Sequence, residues 1–439
     1  MPAHGMGRIS AALWATVGAG AWVCLSALQA APAAADSSTD ELAFIMGGTL
    51  NPDPAPSYVT AINEAYIQSN PLFAGYTPFG LYTPEGVDIP FLSGLTLDQS
   101  AAQGEVILND AILGRPAGSD TLVFGYSQSA VIATLEMNAL DALPADERPS
   151  PDDLSFMLTG DLDNPDGGIF ERFAVNIPIL GIPFYGATPA DTPYPTDIYT
   201  GQYDGAADFP QYPLNVVADL NALLGAAYVH TQYANLTAAQ IQSAVPLATS
   251  PGYDGVTHYY MIPTQDLPLV EPLRAIPLVG KPLADLLQPD LTVLVNLGYN
   301  PNGYADVPTP AQLLPGFSPL ADIEQLAKPL LNGLGVYLPE YPSVPAPDFN
   351  PLTIFGQLVT GAYQGVSDAL VDLGVLPASD FATTYPAVNT PAAVAAIASG
   401  LEPSMLTGLG DTVSGWLSGL AADLGVDPAW FTSVLDLLG

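Results

Sequence analysis

The sequence is nearly free of cysteine and poor in histidine, which limits the catalytic and metal-binding chemistry that its side chains can support. Its single cysteine, Cys24, lies in an apolar stretch near the N-terminus. Beyond that stretch, disulfides, cysteine metal sites and thiol catalysis are excluded. The three histidines are His4, His230 and His258, so a histidine that acts as general base has few candidates.

Basic residues are scarce as well. The chain carries 7 Lys and Arg against 44 Asp and Glu, a formal net charge of −37. A strongly negative surface repels phosphate backbones, so we expect no nucleic-acid partner. It also disfavours electrostatic docking onto anionic membranes, so any contact with lipid has to be hydrophobic.

Residues 1–35 have the pattern of an export signal. Arg8 supplies a positive start, residues 9–28 are apolar and uncharged, and three alanines at 33–35 end the segment as a signal-peptidase site would. The pattern predicts a secreted or cell-envelope-associated protein. Retention of the segment as an anchor is the alternative, and it would attach the protein to a membrane or envelope.

The middle of the chain alternates between predicted strands and helices. Hydrophobic residues make up 49% of the sequence and charged residues 12%, enough apolar material for a sizeable core. The alternation predicts an α/β domain at 41–300 with a mostly parallel sheet flanked by helices. Residues 301–439 form a Pro-rich and then helical extension, whose role as lid, lipid-contacting helical pair or spacer stays open. The predicted strands are 42–45, 121–124, 154–158, 197–200 and 259–262, and the predicted helices are 57–68, 97–112, 130–140 and 214–224.

Ser127 is the predicted nucleophile. It is the central residue of Gly-Tyr-Ser-Gln-Ser at 125–129, between a predicted strand and a helix-compatible run. A serine held on a sharp strand-to-helix turn needs very small residues two positions before and after it, and Gly125 and Ser129 meet that need. The alternative is a chance match in a chain rich in Gly and Ser.

His230 is the predicted base and Asp204 the predicted acid. Asp204 follows a predicted strand, and the chain order Ser, Asp, His is the order of α/β-hydrolases. The acid would fix the imidazole tautomer and stabilise its charged form. His258 is the alternative base. Asp161, which also follows a predicted strand, is the main alternative acid, ahead of Asp197 and Asp208.

The expected oxyanion donors are the backbone amide of Gln128 and a loop after the first strand, where Gly48 and Thr49 fit. Gly-Gly is equally compatible with an ordinary turn. Residues 161–168 (DLDNPDGG) superficially suggest a calcium loop, but position five is proline and position twelve is Arg172. We therefore interpret that stretch as a turn and predict no metal and no cofactor.

Five segments of the chain have a distinctive sequence. They are MGGTLNPDP (46–54), LDQSAAQGEVILNDAI (97–112), GYSQSA (125–130), QYDGAADFPQYPLN (202–215) and TQDLPLVEPLRAIPLVGKPLADLLQPDLTVLVNLGY (264–299). These segments resemble the mycobacterial PE-PPE domain family of cutinase-like α/β serine hydrolases. Together they cover about residues 41–300, and the last is the most specific. The family motif G-x-S-x-[GS] matches 125–129.

The resemblance implies ester chemistry on acyl chains, through an acyl intermediate on Ser127. Members of the family act as esterases or lipases on fatty esters, and related members are acyltransferases that build acylated trehalose lipids of the envelope. The expected partner is thus a lipid or acyl ester, with a trehalose glycolipid as the alternative. A third hypothesis is a non-enzymatic envelope or adhesion protein with a vestigial triad.

Overall fold

The computed structural model describes residues 41–88, 94–174, 184–313 and 349–376, together with positions 315, 345 and 347. The predicted export signal at 1–35 lies outside the described residues, as do most of 301–350 and all of 377–439. The predictions made for those stretches therefore stay predictions. No helix of the described ranges is long and apolar enough to cross a membrane.

Seven strands form one sheet in the order β2-β1-β3-β4-β5-β7-β6. All neighbours are parallel except β6, which runs antiparallel to β7. The predicted mostly parallel sheet of an α/β-hydrolase-like fold is confirmed. The strands are β1 (Glu41–Ile45), β2 (Thr77–Gly80), β3 (Asp120–Tyr126), β4 (Leu154–Thr159), β5 (Thr196–Gly201), β6 (Val245–Pro246) and β7 (Thr257–Ile262).

Helices connect the strands and cover the sheet. Short turns of π-helix at Asn63–Ile67 and of 3₁₀-helix at His230–Asn235 and Pro268–Val270 complete the described elements. The helices are α1 (Pro56–Ile62), α2 (Leu97–Leu113), α3 (Gln128–Ala142), α4 (Ile169–Phe173), α5 (Val216–Tyr228), α6 (Ala238–Gln242), α7 (Glu271–Arg274), α8 (Gly280–Asn296) and α9 (Pro351–Asp372).

Both faces of the sheet are buried, and the alternation of side chains along β3 shows it. Val123 packs in one cluster with Leu108 of α2 and Ile132 of α3. Its neighbours Leu122 and Phe124 point the other way, into a cluster with Tyr66, Met157 and Ile262. Successive side chains of a strand point to opposite faces, so a strand covered on both sides has to be apolar throughout. That requirement explains the uninterrupted apolar run in this strand.

The predicted elements are present, with shifts at their ends. Helix α2 begins at residue 97 as predicted, and Thr96 before it forms a capping box with Gln99. Ser57 does not cap the first helix, because Pro56 already occupies its first turn and Ala55 precedes it. The helix after Asp204 begins at Val216 and is capped by Asn215.

Helix α9 comes from the C-terminal extension and packs against α8. The two helices approach closely at glycines. A Cβ atom on Gly365 would lie 2.0 Å from the carbonyl oxygen of Leu286, and one on Gly361 would lie 2.2 Å from an Asp290 carboxylate oxygen. Part of the extension is therefore packed on a helix of the 41–300 region.

Candidate active site

Ser127 lies on the sharp turn between β3 and α3. Its φ and ψ angles are 58° and −118°, a conformation that non-glycine residues rarely adopt. Gly125 permits the turn, because a Cβ atom there would lie 2.8 Å from the carbonyl oxygen of Ser129. The side chain of Ser129 accepts a hydrogen bond from the Tyr126 amide at 2.8 Å and donates one to the Tyr126 carbonyl at 3.1 Å. Ser129, at the motif position that accepts Gly or Ser, therefore stabilises the turn by two hydrogen bonds that a glycine could not make.

Three side chains from distant parts of the sequence form a continuous relay. The hydroxyl oxygen of Ser127 lies 2.8 Å from Nε2 of His230. Nδ1 of His230 lies 2.9 Å from Oδ2 of Asp204. The Asp204 side chain is fully buried and that of His230 is 14% exposed. The structure therefore brings the predicted nucleophile, base and acid together.

The loops after β4 and β5 provide the space for this relay. Asp204 follows β5, and its Oδ1 accepts a hydrogen bond from the Ala206 amide at 2.8 Å. Gly160, just after β4, has a φ of 56°, and a Cβ atom there would lie 3.1 Å from Cε1 of His230. On the other side, the Tyr126 hydroxyl donates to the His230 carbonyl at 2.6 Å. The histidine is thus held through its backbone as well as its ring.

Tyr233 is a residue of the site that the sequence analysis missed. Its hydroxyl donates to Oδ2 of Asp204 at 2.8 Å and accepts from the Gly201 amide at 2.7 Å. The available signal was its spacing: Tyr233 follows His230 by three residues, one turn of 3₁₀-helix, and side chains at that spacing share a face.

The predicted oxyanion residues lie beside Ser127. A Cβ atom on Gly48 would lie 2.8 Å from the Tyr126 ring and 3.2 Å from Cβ of Ser127, so a larger residue there would have to displace its neighbours. The Thr49 hydroxyl donates to the side-chain oxygen of Gln128 at 3.0 Å. The Gln128 side-chain nitrogen in turn donates to the Ser100 hydroxyl at 2.7 Å. The first bond joins the loop after β1 to the start of α3, where the first amides have no partner within the helix, and the second joins α3 to α2.

The alternative base and acid have other partners. His258 lies on β7 with a side chain that is 64% exposed, and its Nδ1 lies 3.4 Å from Asp197. The carboxylate of Asp161 accepts hydrogen bonds from the Thr188 hydroxyl at 2.6 Å and the Asp163 amide at 3.0 Å. Asp208 accepts from the Tyr203 amide. The structure thus joins Ser127 to His230 and not to the alternative pair.

Asp161 belongs to a buried acidic group with Asp163 and Glu171. Burial raises the pKa of Asp161 to about 6, against the hydrogen bond from Thr188, and raises that of Glu171 to about 7. Burial and the nearby Asp161 raise the pKa of Asp163 well above its ordinary value. The described residues contain no group of three or more His, Cys, Asp and Glu arranged to hold a metal ion.

A cavity of about 650 Å³ lies among residues 187–193, residues 253–256, Asp306 and Pro308. Residues 187–193 lie in the segment that leads into β5. None of Ser127, His230 and Asp204 lines this cavity, so it is separate from the relay.

Similarity to known proteins identifies the family of this chain. A model of the PE-PPE domain matches residues 74–300, which include Ser127, Asp204 and His230. The chain belongs to the PE-PPE domain family. A solved cutinase-like protein from Cryptococcus sp. is 19% identical, with a TM-score of 0.27 over 39% of this chain and 81% of that one. That overlap is too small to define the fold, which follows from the strand order of this PE-PPE domain itself.

Three relatives from Mycobacterium tuberculosis (strain ATCC 25618 / H37Rv) resemble this PE-PPE protein to different degrees. PE family protein PE3 is 48% identical over 78% of this chain and 66% of its own length. Esterase PE16 is 45% identical over 74% of this chain and 62% of its own length. Diacyltrehalose acyltransferase Chp2 is 27% identical over 54% of this chain and 69% of its own length. The chain therefore spans less than two thirds of the length of PE family protein PE3 and of Esterase PE16.

Proposed function

We propose that the chain is a serine hydrolase that cleaves acyl esters through an acyl intermediate on Ser127. The observation that carries the proposal is the relay of Ser127, His230 and Asp204, with contacts of 2.8 and 2.9 Å. A serine hydroxyl is a weak nucleophile, and a hydrogen-bonded imidazole held by a buried carboxylate is the arrangement that activates it.

The first half of the reaction forms the acyl-enzyme. The Ser127 oxygen attacks the ester carbonyl carbon while His230 Nε2 takes the hydroxyl proton, and Asp204 stabilises the resulting imidazolium. The negative charge moves to the carbonyl oxygen, facing the Gln128 amide and the loop at Gly48 and Thr49. When the tetrahedral intermediate collapses, the carbon–oxygen bond to the alcohol breaks, and the alcohol leaves with the proton from His230.

The second half transfers the acyl group to an acceptor. With water as acceptor, His230 takes a proton from it, the water oxygen attacks the acyl carbon, and the carboxylic acid is released with Ser127 restored. The name of Esterase PE16, at 45% identity, supports water as acceptor. A sugar hydroxyl in the same position would make the chain an acyltransferase, which the more distant Diacyltrehalose acyltransferase Chp2 supports as the second candidate.

Covalent labelling tests the nucleophile directly. We expect a fluorophosphonate probe to modify the purified wild-type chain and to leave Ser127→Ala unlabelled. Ser243→Ala, a change at an exposed serine after α6, is the matched control and should be labelled as the wild type is. Labelling of Ser127→Ala, or none of the wild type, would overturn the proposal.

Product analysis tests the acceptor. We expect a long-chain acyl ester to yield free fatty acid at the same rate with or without trehalose. Acyl trehalose in place of the free acid would support the acyltransferase instead. Ser127→Ala should form neither product, which separates enzymatic transfer from spontaneous hydrolysis.

We also propose that the chain is exported to the cell surface or beyond. The support is the Arg8 start, the uncharged apolar run at 9–28 and the alanines at 33–35. Fractionation of cells that express the chain with a C-terminal tag should place it in the medium or envelope. Replacing the apolar run with a polar one should leave it in the cytosol.

A further inference from the structure

The catalytic aspartate receives more hydrogen bonds than the relay requires. Its Oδ1 accepts from the Ala206 amide at 2.8 Å. Its Oδ2 accepts from two side chains at once, His230 at 2.9 Å and Tyr233 at 2.8 Å. The same oxygen that orients the imidazole is therefore shared with a tyrosine hydroxyl.

The direction of the tyrosine hydrogen bond is fixed by its other neighbour. The Gly201 amide lies 2.7 Å from the Tyr233 hydroxyl oxygen, and a backbone N–H can only donate. The hydroxyl proton is thus left to point at Asp204. Burial, and then the charge of Asp204, raise the pKa of the Tyr233 phenol well above its ordinary value. The phenol stays protonated over the range in which an esterase works, so it is a permanent donor.

The ring of Tyr233 has little room to move. Its side chain is almost fully buried, and a Cβ atom on Gly160 would lie 2.9 Å from Cε2 of the ring. Tyr126 packs against it with ring centroids 5.6 Å apart. The backbone carbonyl of Tyr233 also accepts a hydrogen bond from the Tyr66 hydroxyl at 3.0 Å. The donor is therefore held in place before any substrate arrives.

We propose that Tyr233 is a positioning residue for the reaction: it fixes Oδ2 of Asp204 toward His230 and takes up part of the carboxylate charge. This inference rests on the proposed function. The Tyr233 hydrogen bond keeps the carboxylate from rotating, and a fixed carboxylate keeps the Nδ1 proton of His230 on the side away from Ser127. It also limits how strongly Asp204 holds the imidazolium, because each added donor reduces the charge left on the oxygen.

Removal of the hydroxyl has two separable consequences. Asp204 loses a fixed donor, so the imidazole is held less well, and we expect kcat to fall roughly 10- to 100-fold. The carboxylate keeps more of its charge and stabilises the imidazolium more strongly. Since only the neutral imidazole can act as base, the acidic limb of the kcat profile should move to higher pH.

The test is Tyr233→Phe, with kcat and KM for a soluble acyl ester measured across pH. We expect lower kcat, a KM within about twofold of wild type, and a shifted acidic limb. Tyr194→Phe is the matched control: Tyr194 is equally buried, and its hydroxyl donates to the Pro149 carbonyl outside the site. It should keep the wild-type kcat and pH profile. An unshifted limb in Tyr233→Phe overturns the inference.

Two further measurements keep the outcome decisive. Labelling of wild type by a fluorophosphonate probe shows that the proposed function holds even if the Tyr233 inference fails. If Tyr233→Phe does not fold, 3-fluorotyrosine introduced at position 233 keeps the hydroxyl and makes it a stronger donor. The acidic limb should then move to lower pH, and an unchanged limb would count against the inference.

Discussion

The described part of the molecule holds two aspartate–histidine pairs, and both aspartates come from β5 or the loop that follows it. Asp204 and His230 lie 2.9 Å apart, with side chains 0% and 14% exposed. Asp197 and His258 lie 3.4 Å apart, with side chains 17% and 64% exposed. The two pairs have the same chemical groups, yet only the first contacts a serine hydroxyl.

Position along the strand explains the difference. Asp204 follows the carboxyl end of β5, and Ser127 follows the carboxyl end of β3 in the same parallel sheet. Side chains at that edge of a parallel sheet converge on one crevice. Asp197 lies near the beginning of β5, opposite His258 on β7. The His258 side chain at that end is exposed, and no serine hydroxyl of the described residues is hydrogen-bonded to it.

Replacing each histidine separately by alanine tests this comparison and should give the largest effect. We expect His230→Ala to lower kcat/KM for a soluble ester by about 10⁴- to 10⁶-fold, because the base is removed. His258→Ala should stay within about twofold of wild type, since an exposed surface position is being changed. A large loss in His258→Ala with activity kept in His230→Ala would reverse the assignment.

The aspartates give the next largest effect. Asp204→Asn should lower kcat by about 10³- to 10⁴-fold, because an amide can hold the imidazole in the wrong tautomer. Asp197→Asn and Asp161→Asn should change kcat by less than about tenfold, since neither contacts His230. Thermal unfolding of each variant serves as the folding control. If Asp161→Asn alone abolished activity, Asp161 would be the acid.

The sequence predicted much of this site because its signals are local. Ser127 was found from a pentapeptide, and Asp204 from its place after a strand. His230 was preferred over His258 by chain order alone. Tyr233 was missed because its role depends on Gly201, which lies far from it in sequence. Helix α8 was missed because Pro289 lies inside it, and a proline in a helix interior normally breaks or kinks the helix.

Other buried carboxyl groups accept fewer hydrogen bonds than Asp204 does, and we therefore expect their titration to make stability depend on pH. Burial raises the pKa of Asp161 to about 6 and those of Glu171 and Asp208 to about 7. A raised pKa in the folded state favours the protonated form, so this stability is complete below pH 4 and is lost as pH rises toward 7. We expect the free energy of unfolding to fall by a few kcal/mol between about pH 4 and 8.

Asp163→Asn separates these groups from the general effect of a chain with a net charge of −37. Neither carboxylate oxygen of Asp163 has a hydrogen-bond partner in the described part of the chain. The variant removes a carboxyl group whose pKa is raised by burial in the folded state, so the decline in stability between pH 4 and 8 should become shallower. Asp191→Asn, a change at an exposed position, should keep the wild-type slope. Equal slopes in both variants would assign the pH effect to net charge alone.

The smallest effect concerns the surface pair itself. A double-mutant cycle of Asp197→Asn and His258→Gln, followed by urea unfolding, should give a coupling energy of at most about 1 kcal/mol. The separation of 3.4 Å and the exposed imidazole both weaken the contact. A coupling energy well above that value would mean that the Asp197–His258 pair stabilises the fold substantially. The difference between the pairs would then lie in the neighbouring serine alone and not in how firmly each pair is held.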